Sequence, residues 1–84
     1  MMKTWHALKT KPRAERKVFR TLEERGYEAF LPMLPASERQ PSRPLFPTYL
    51  FARWAPDAVD LSGLRWIPGL QQILAFPMRE YQNA

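Results

Sequence analysis

Eighty-four residues with a formal charge of +5 and an isoelectric point near 10.1 suffice for one small core and leave no room for a second domain, so residues 1–84 read as a single domain. The lack of cysteine excludes disulfides and thiolate metal sites as braces, and argues for a cytoplasmic chain and against a secreted scaffold. No run approaches the ~20 apolar residues of a membrane span, and the basic balance favours an anionic partner, nucleic acid ahead of a membrane surface.

The first predicted element is a strand over Lys3 to Lys9, with Trp5 and Ala7 on one face and His6 and Leu8 on the other. Pro12 suits the first turn of a helix, because its fixed φ fits and its missing N–H is not needed there. Ala14, Val18 and Leu22 recur every four residues, with Phe19 widening the apolar stripe, while Arg13, Arg16, Lys17 and Arg20 point elsewhere. Up to Arg20 the cations are opposed only by Glu15, so positive potential gathers at one edge. Gly26 supplies a left-handed cap, Tyr27 is placed to pack back on Leu22, and the helix is expected to end near Arg25.

Tyr27 to Leu34 reads as a second strand, short or at an edge because of Pro32. Pro35 to Arg43 is polar and proline-containing, which predicts a mobile loop closing a long hairpin. Pro44 to Trp54 is the organising strand: Tyr49, Phe51 and Arg53 fall on one face and Leu50, Ala52 and Trp54 on the other. Both faces carry bulky groups, so each needs a cover. Pro56 and Asp57 mark a second helix start, with Val59, Leu61 and Leu64 inward and Gly63 keeping it short. Pro68 and Gly69 form a turn, and Leu70, Gln72, Leu74 and Phe76 alternate with Gln71, Ile73 and Ala75 in a last strand.

The order is β-α-β-β-α-β, an α+β fold of ferredoxin-like type with an antiparallel sheet and both helices on one face. Trp5, Leu50, Trp54, Ile73, Val18 and Leu22 are expected to fill the covered side. Tyr49 and Phe51 are then left on an open apolar face, which in a monomer marks a partner site. Catalysis lacks its parts. His6 is the sole histidine, there is no thiol, and Ser37, Ser42 and Ser62 have no base nearby in sequence. One imidazole without clustered carboxylates makes no metal shell, and the three glycines make no phosphate cradle. The chain is therefore expected to be no enzyme and to need no metal or cofactor.

Leu45-Phe46-Pro47-Thr48-Tyr49-Leu50-Phe51, with Trp5 in the first strand, Leu31-Pro32-Met33, and Ile67-Pro68-Gly69-Leu70, resembles the N-terminal (NGN) domain of NusG-type transcription elongation factors from Lys3 to about Phe76. The segment is more similar to the specialised RfaH-like paralogues than to the housekeeping factor, which usually has glycine where Thr48 stands. The resemblance implies a non-catalytic elongation and antitermination factor gripping the clamp helices of the largest RNA polymerase subunit through Ala7, Lys9, Phe46, Pro47, Tyr49 and Phe51. It also implies that Lys11, Arg20, Arg25 and Arg65 face upstream DNA or the exposed non-template strand. Where RfaH-like proteins have a histidine followed by threonines for a second polymerase contact, this chain reads Asp60-Leu61-Ser62-Gly63. It also stops before the family's third helix and C-terminal KOW domain, as an excised domain or a short paralogue would. Two other readings fit the element order. An RRM-like module would stack single-stranded RNA on Tyr49 and Phe51, though the glycine-rich RNP1 pattern is absent, and a ferredoxin-like domain would close its open face by homodimerisation.

Overall fold

Alternation in the stretch from Tyr49 to Trp54 is realised residue by residue: Leu50, Ala52 and Trp54 are buried, and Tyr49, Phe51 and Arg53 between them are only partly covered. A computed structural model describes residues 3–55 and 61–74. Within them the order is β1 (Thr4–Thr10), α1 (Glu15–Glu24), β2 (Glu28–Phe30), β3 (Met33–Leu34), β4 (Arg43–Pro44), β5 (Tyr49–Trp54), α2 (Leu61–Leu64) and β6 (Leu70–Leu74). The main sheet runs β2-β5-β1-β6 with every neighbouring pair antiparallel. This is the ferredoxin-like α+β arrangement that the sequence predicts.

One face of this sheet holds the core. Leu8, Leu50, Ala52 and Trp54 from the strands meet Val18 and Leu22 from α1, with Leu64 of α2 and Ile67 closing the cluster. Burying each of the leucine, isoleucine and valine side chains contributes about 1.5–3 kcal/mol. The expected start of α2 at Pro56 and Asp57, with Val59, lies outside the described residues, as does Phe76. Gly26 adopts φ +87 and completes the end of α1. Its N–H donates to the Glu23 carbonyl at 2.9 Å, and the Tyr27 N–H donates to the Leu22 carbonyl at 3.0 Å, the double bond of a Schellman cap. Tyr27 packs against the core beside it.

The structure corrects five expectations. First, α1 begins at Glu15, after Pro12, because Lys11 to Ala14 form a separate turn in which Arg13 is left-handed at φ 66 and the Ala14 N–H donates to the Lys11 carbonyl at 3.1 Å. Second, the stretch from Tyr27 to Leu34 is two strands. β2 is an edge of the main sheet, and past Leu31 and Pro32 the chain leaves it, so β3 pairs with β4 in its own ribbon. Proline has no N–H to extend the ladder. Third, the organising strand starts at Tyr49; Pro44 belongs to the ribbon and Pro47 to a turn. Fourth, Trp5 lies opposite Arg53 and therefore shares the open face with it, not the core face. The last strand also departs from simple alternation: the register shifts between Lys9 and Thr10, so Leu70 opposes Thr10 and Gln72 opposes Lys9. This bulge sends Leu70 to the core with Ile73.

Three proline turns meet at one end of the sheet. Lys11-Pro12-Arg13-Ala14, Phe46-Pro47-Thr48-Tyr49 and Ile67-Pro68-Gly69-Leu70 each close with a bond from the fourth N–H to the first carbonyl, and each has positive φ at the third residue: 66, 70 and 92. Proline second and positive φ third is the type II pattern. Main-chain bonds tie them together, from the Thr10 N–H to the Thr48 carbonyl and from the Lys11 N–H to the Gly69 carbonyl, both at 2.8 Å. Gly69 admits no side chain, since a Cβ there would lie 2.9 Å from the Ala14 Cβ.

Candidate functional site

Cross-strand partners share a face, so the pairings define what the uncovered side of the sheet presents. One row across it is apolar: Phe30, Phe51, Ala7 and Leu74, from β2, β5, β1 and β6. A second row runs Tyr49, Lys9, Gln72 and a third Glu28, Arg53, Trp5. Ala7 is only 6% exposed; as a methyl between Phe51 and Leu74 it makes a low point in the row. Phe46, 48% exposed, reaches over from the proline turn and meets Phe51 edge to face, with ring centroids 6.3 Å apart. The ammonium of Lys9 lies 5.7 Å from the Tyr49 ring centre. The structure thus gathers Ala7, Lys9, Phe46, Tyr49 and Phe51 on one surface, with Pro47 exposed in the adjoining turn.

Phe30 belongs to the same surface. It sits opposite Phe51 and is 55% exposed, yet nothing in the local pattern from Tyr27 to Leu34 announces it, because the register with β5 is a non-local fact. Leu45, next to Phe46 in sequence, is exposed as well. The third row is bolted to itself: Glu28 accepts from Lys3 at 2.7 Å and from Arg53 at 2.6 Å, while the Arg53 guanidinium lies 5.3 Å from the Trp5 ring centre. The hydrogen bond from Lys3 chiefly holds the Glu28 carboxyl below its ordinary value of 4.5, with Arg53 acting the same way.

The basic residues do not form one patch. Lys11 stands at the proline-turn end of the sheet, Arg20 in the middle of α1 and Arg25 at its C-terminus, and ten helical residues extend about 15 Å. Arg16 and Arg20, four residues apart on one stripe, border a hollow with Phe19, Leu31 and Met33. Arg16 also donates to the Ser42 carbonyl at 2.7 Å, and Ser42 in turn donates to the Leu34 carbonyl at 2.9 Å, which fastens the ribbon to α1. At the other end, the Arg25 guanidinium reaches the Gly63 carbonyl at 3.4 Å. Arg65 and Trp66 follow in the same segment, and Trp66 is 82% exposed. An isolated tryptophan in a short turn gives no periodic signal in the sequence.

His6 lies opposite Ala52 and so faces away from the open row. Its ring stacks on Trp54 at 4.1 Å with an 8° tilt, and burial lowers its pKa from 6.5 against an opposing effect of the Thr4 and Ala52 backbone. Among the described residues no three His, Cys, Asp or Glu side chains converge as a metal site, and no helix is long and apolar enough to cross a membrane.

An open apolar sheet face with a separate basic helix is compatible with several binding modules, and the sequence as a whole decides among families. Residues 3–83 match the NusG family, described as transcription termination factor nusG. The chain belongs to the NusG family. The match covers nearly all of its length and takes in both the open face and the basic helix. NusG proteins are transcription factors acting in elongation and termination, and their partner is RNA polymerase. No match was found among curated proteins.

Proposed function

We propose that this NusG-family chain binds the clamp helices of the largest RNA polymerase subunit through its open sheet face and assists elongation. The observation that carries the reading is the uncovered apolar row. α1 and α2 serve the opposite face, so Phe30, Phe51 and Phe46 stay partly bare in a chain with few other large apolar side chains exposed among the described residues. Apolar surface rimmed by charge is suited to a protein partner. The binding surface comprises Ala7, Lys9, Phe46, Pro47, Tyr49 and Phe51, to which Phe30 is added. Lys11 at the proline turns, Arg20 and Arg25 on α1 and at its end, and Arg65 after α2 are the cations read as facing upstream or non-template DNA.

Within the family we assign the chain to the specialised RfaH-like branch, where it acts in antitermination. Thr48 supports this: it occupies a left-handed position that glycine fills without strain, and the housekeeping pattern has glycine there. The chain is read as an NGN domain of a cytoplasmic factor.

Equilibrium binding to purified RNA polymerase tests the proposal. Tyr49→Ala and Phe51→Ala are each expected to lose about 2 kcal/mol, roughly a 30-fold weaker Kd, as buried aromatic anchors do. Unchanged Kd values in folded variants would contradict it, and loss of tight single-stranded RNA binding in those variants would point to base stacking in its place.

A further inference from the structure

Among the described residues, Glu15 is an acid buried at 6% exposure in a segment crowded with cations. It forms no ion pair with neighbouring Arg13 or Arg16. Its Oε2 accepts the backbone N–H of Thr48 at 2.7 Å, across 33 residues of chain. Thr48 is β-branched and sits at φ 70, a conformation in which its Cβ crowds the carbonyl oxygen. A non-glycine residue stays there only when its surroundings hold it.

We propose that Glu15 is a positioning residue for the polymerase-binding surface, and that its carboxylate makes threonine tolerable at position 48. The inference rests on the polymerase-binding reading of that face. The turn hangs between two supports. The Thr48 carbonyl is held by the Thr10 N–H at the end of β1, and the Thr48 N–H by Glu15 at the start of α1. The bond to a carboxylate is charge-assisted and stronger than one between neutral groups. Glu15 itself cannot drift, because it begins a helix whose preceding residue, Ala14, abuts Gly69. With both bonds made, Pro47 projects from the turn, Phe46 meets Phe51, and Tyr49 enters β5 on the open face. Without the carboxylate, Thr48 relaxes toward negative φ, the turn reopens and Phe46 loses its place over Phe51. Glycine at 48 needs no such support. The demand for an acid at 15 therefore depends on which residue stands at 48.

The test is a double-mutant cycle with two readouts, affinity for intact RNA polymerase and exchange of the Thr48 amide proton followed by NMR. Glu15→Ala is expected to weaken polymerase binding about tenfold and to speed Thr48 amide exchange by at least as much, a coupling of the usual size for contacting groups. Glu15→Gln keeps an acceptor oxygen and is expected to stay within about threefold of the parent in both readouts. Thr48→Gly alone is expected to bind within about twofold of the parent, and Glu15→Ala with Thr48→Gly within about threefold of Thr48→Gly, since the rescue removes the need for the bond. Should Glu15→Ala fail to fold, the rescued double variant and Glu15→Gln carry the comparison. The proposal is overturned if the double variant binds as weakly as Glu15→Ala, which is the result of a merely structural role, or if Thr48 exchange is unchanged in Glu15→Ala. If the parent chain itself does not bind polymerase, the reading of the face falls, and Thr48 exchange still decides whether Glu15 grips the turn.

Discussion

Leu50 and Phe51 are adjacent in sequence and opposite in consequence. Leu50 is wholly buried under α1, whereas Phe51 lies in the open row. Leu50→Ala is expected to cost roughly 2–5 kcal/mol of unfolding stability by leaving a cavity, and Phe51→Ala distinctly less; chemical denaturation of both variants checks the order. This much was legible from period-two alternation. The left-handed residues were not, because Arg13 and Thr48 advertise nothing that glycine would. Only Gly69 and Gly26 could be read as turn or cap residues, and they differ in their surroundings. A Cβ on Gly26 meets nothing within 4 Å, whereas one on Gly69 meets Ala14 and Val18. Gly26→Ala should cost about 1–2 kcal/mol from backbone strain alone, and Gly69→Ala about 1–3 kcal/mol more from overpacking; paired thermal melts would reveal the gap. Equal losses would mean that the proline turn yields to make room.

At the scale of elements, α1 shows which signals carry. Its end is readable because Gly26 and Tyr27 make a defined hydrogen-bonded cap, while its start is ambiguous because Pro12 serves equally as a helix opener and as the second residue of a turn. The main-chain bonds that choose the turn come from Gly69 and Thr48, far along the chain. Pairing decides strands in the same way: Pro32 hinted at a break, but only β5 and β4 show that β2 and β3 belong to different sheets. The packing of β1 on β5 makes a pH prediction. His6 has its folded pKa below 6.5 through burial against Trp54, so the unfolded chain takes up the proton first. Its contribution is intact above pH 6.5 and declines as pH falls toward the folded value. Glu28 is likewise depressed by Lys3 and Arg53, so its contribution holds above pH 4.5 and is lost below. His6→Phe keeps an aromatic stack and should flatten only the first decline in a melting-temperature series from pH 7.5 to 4; an unchanged profile would show that His6 does not couple to folding.

For the whole molecule, the sheet face and the helix edge are physically separate, and the two surfaces should respond to different perturbations. DNA contacts made by Lys11, Arg20, Arg25 and Arg65 would rest on phosphate charge, so binding to forked DNA is expected to fall steeply with salt. Reversing Lys11 and Arg20 to glutamate should abolish it and leave polymerase affinity largely intact. The topology was legible because the order of apolar segments admits few antiparallel arrangements. The open sheet face was legible in outline, through the alternation of Tyr49 and Phe51, but its extent was not: Phe30 joins and Trp5 changes sides only once the register with β5 is known. The central claim is that the open face is where polymerase sits. Hydroxyl-radical footprinting of the chain with and without intact RNA polymerase tests this most directly, because aromatic side chains report their own solvent contact. Protection of Phe30, Phe46, Tyr49 and Phe51 is predicted, with Phe19 on the α1 side unchanged. Protection of Phe19 with the four open-face aromatics as reactive as in the free chain would contradict the account.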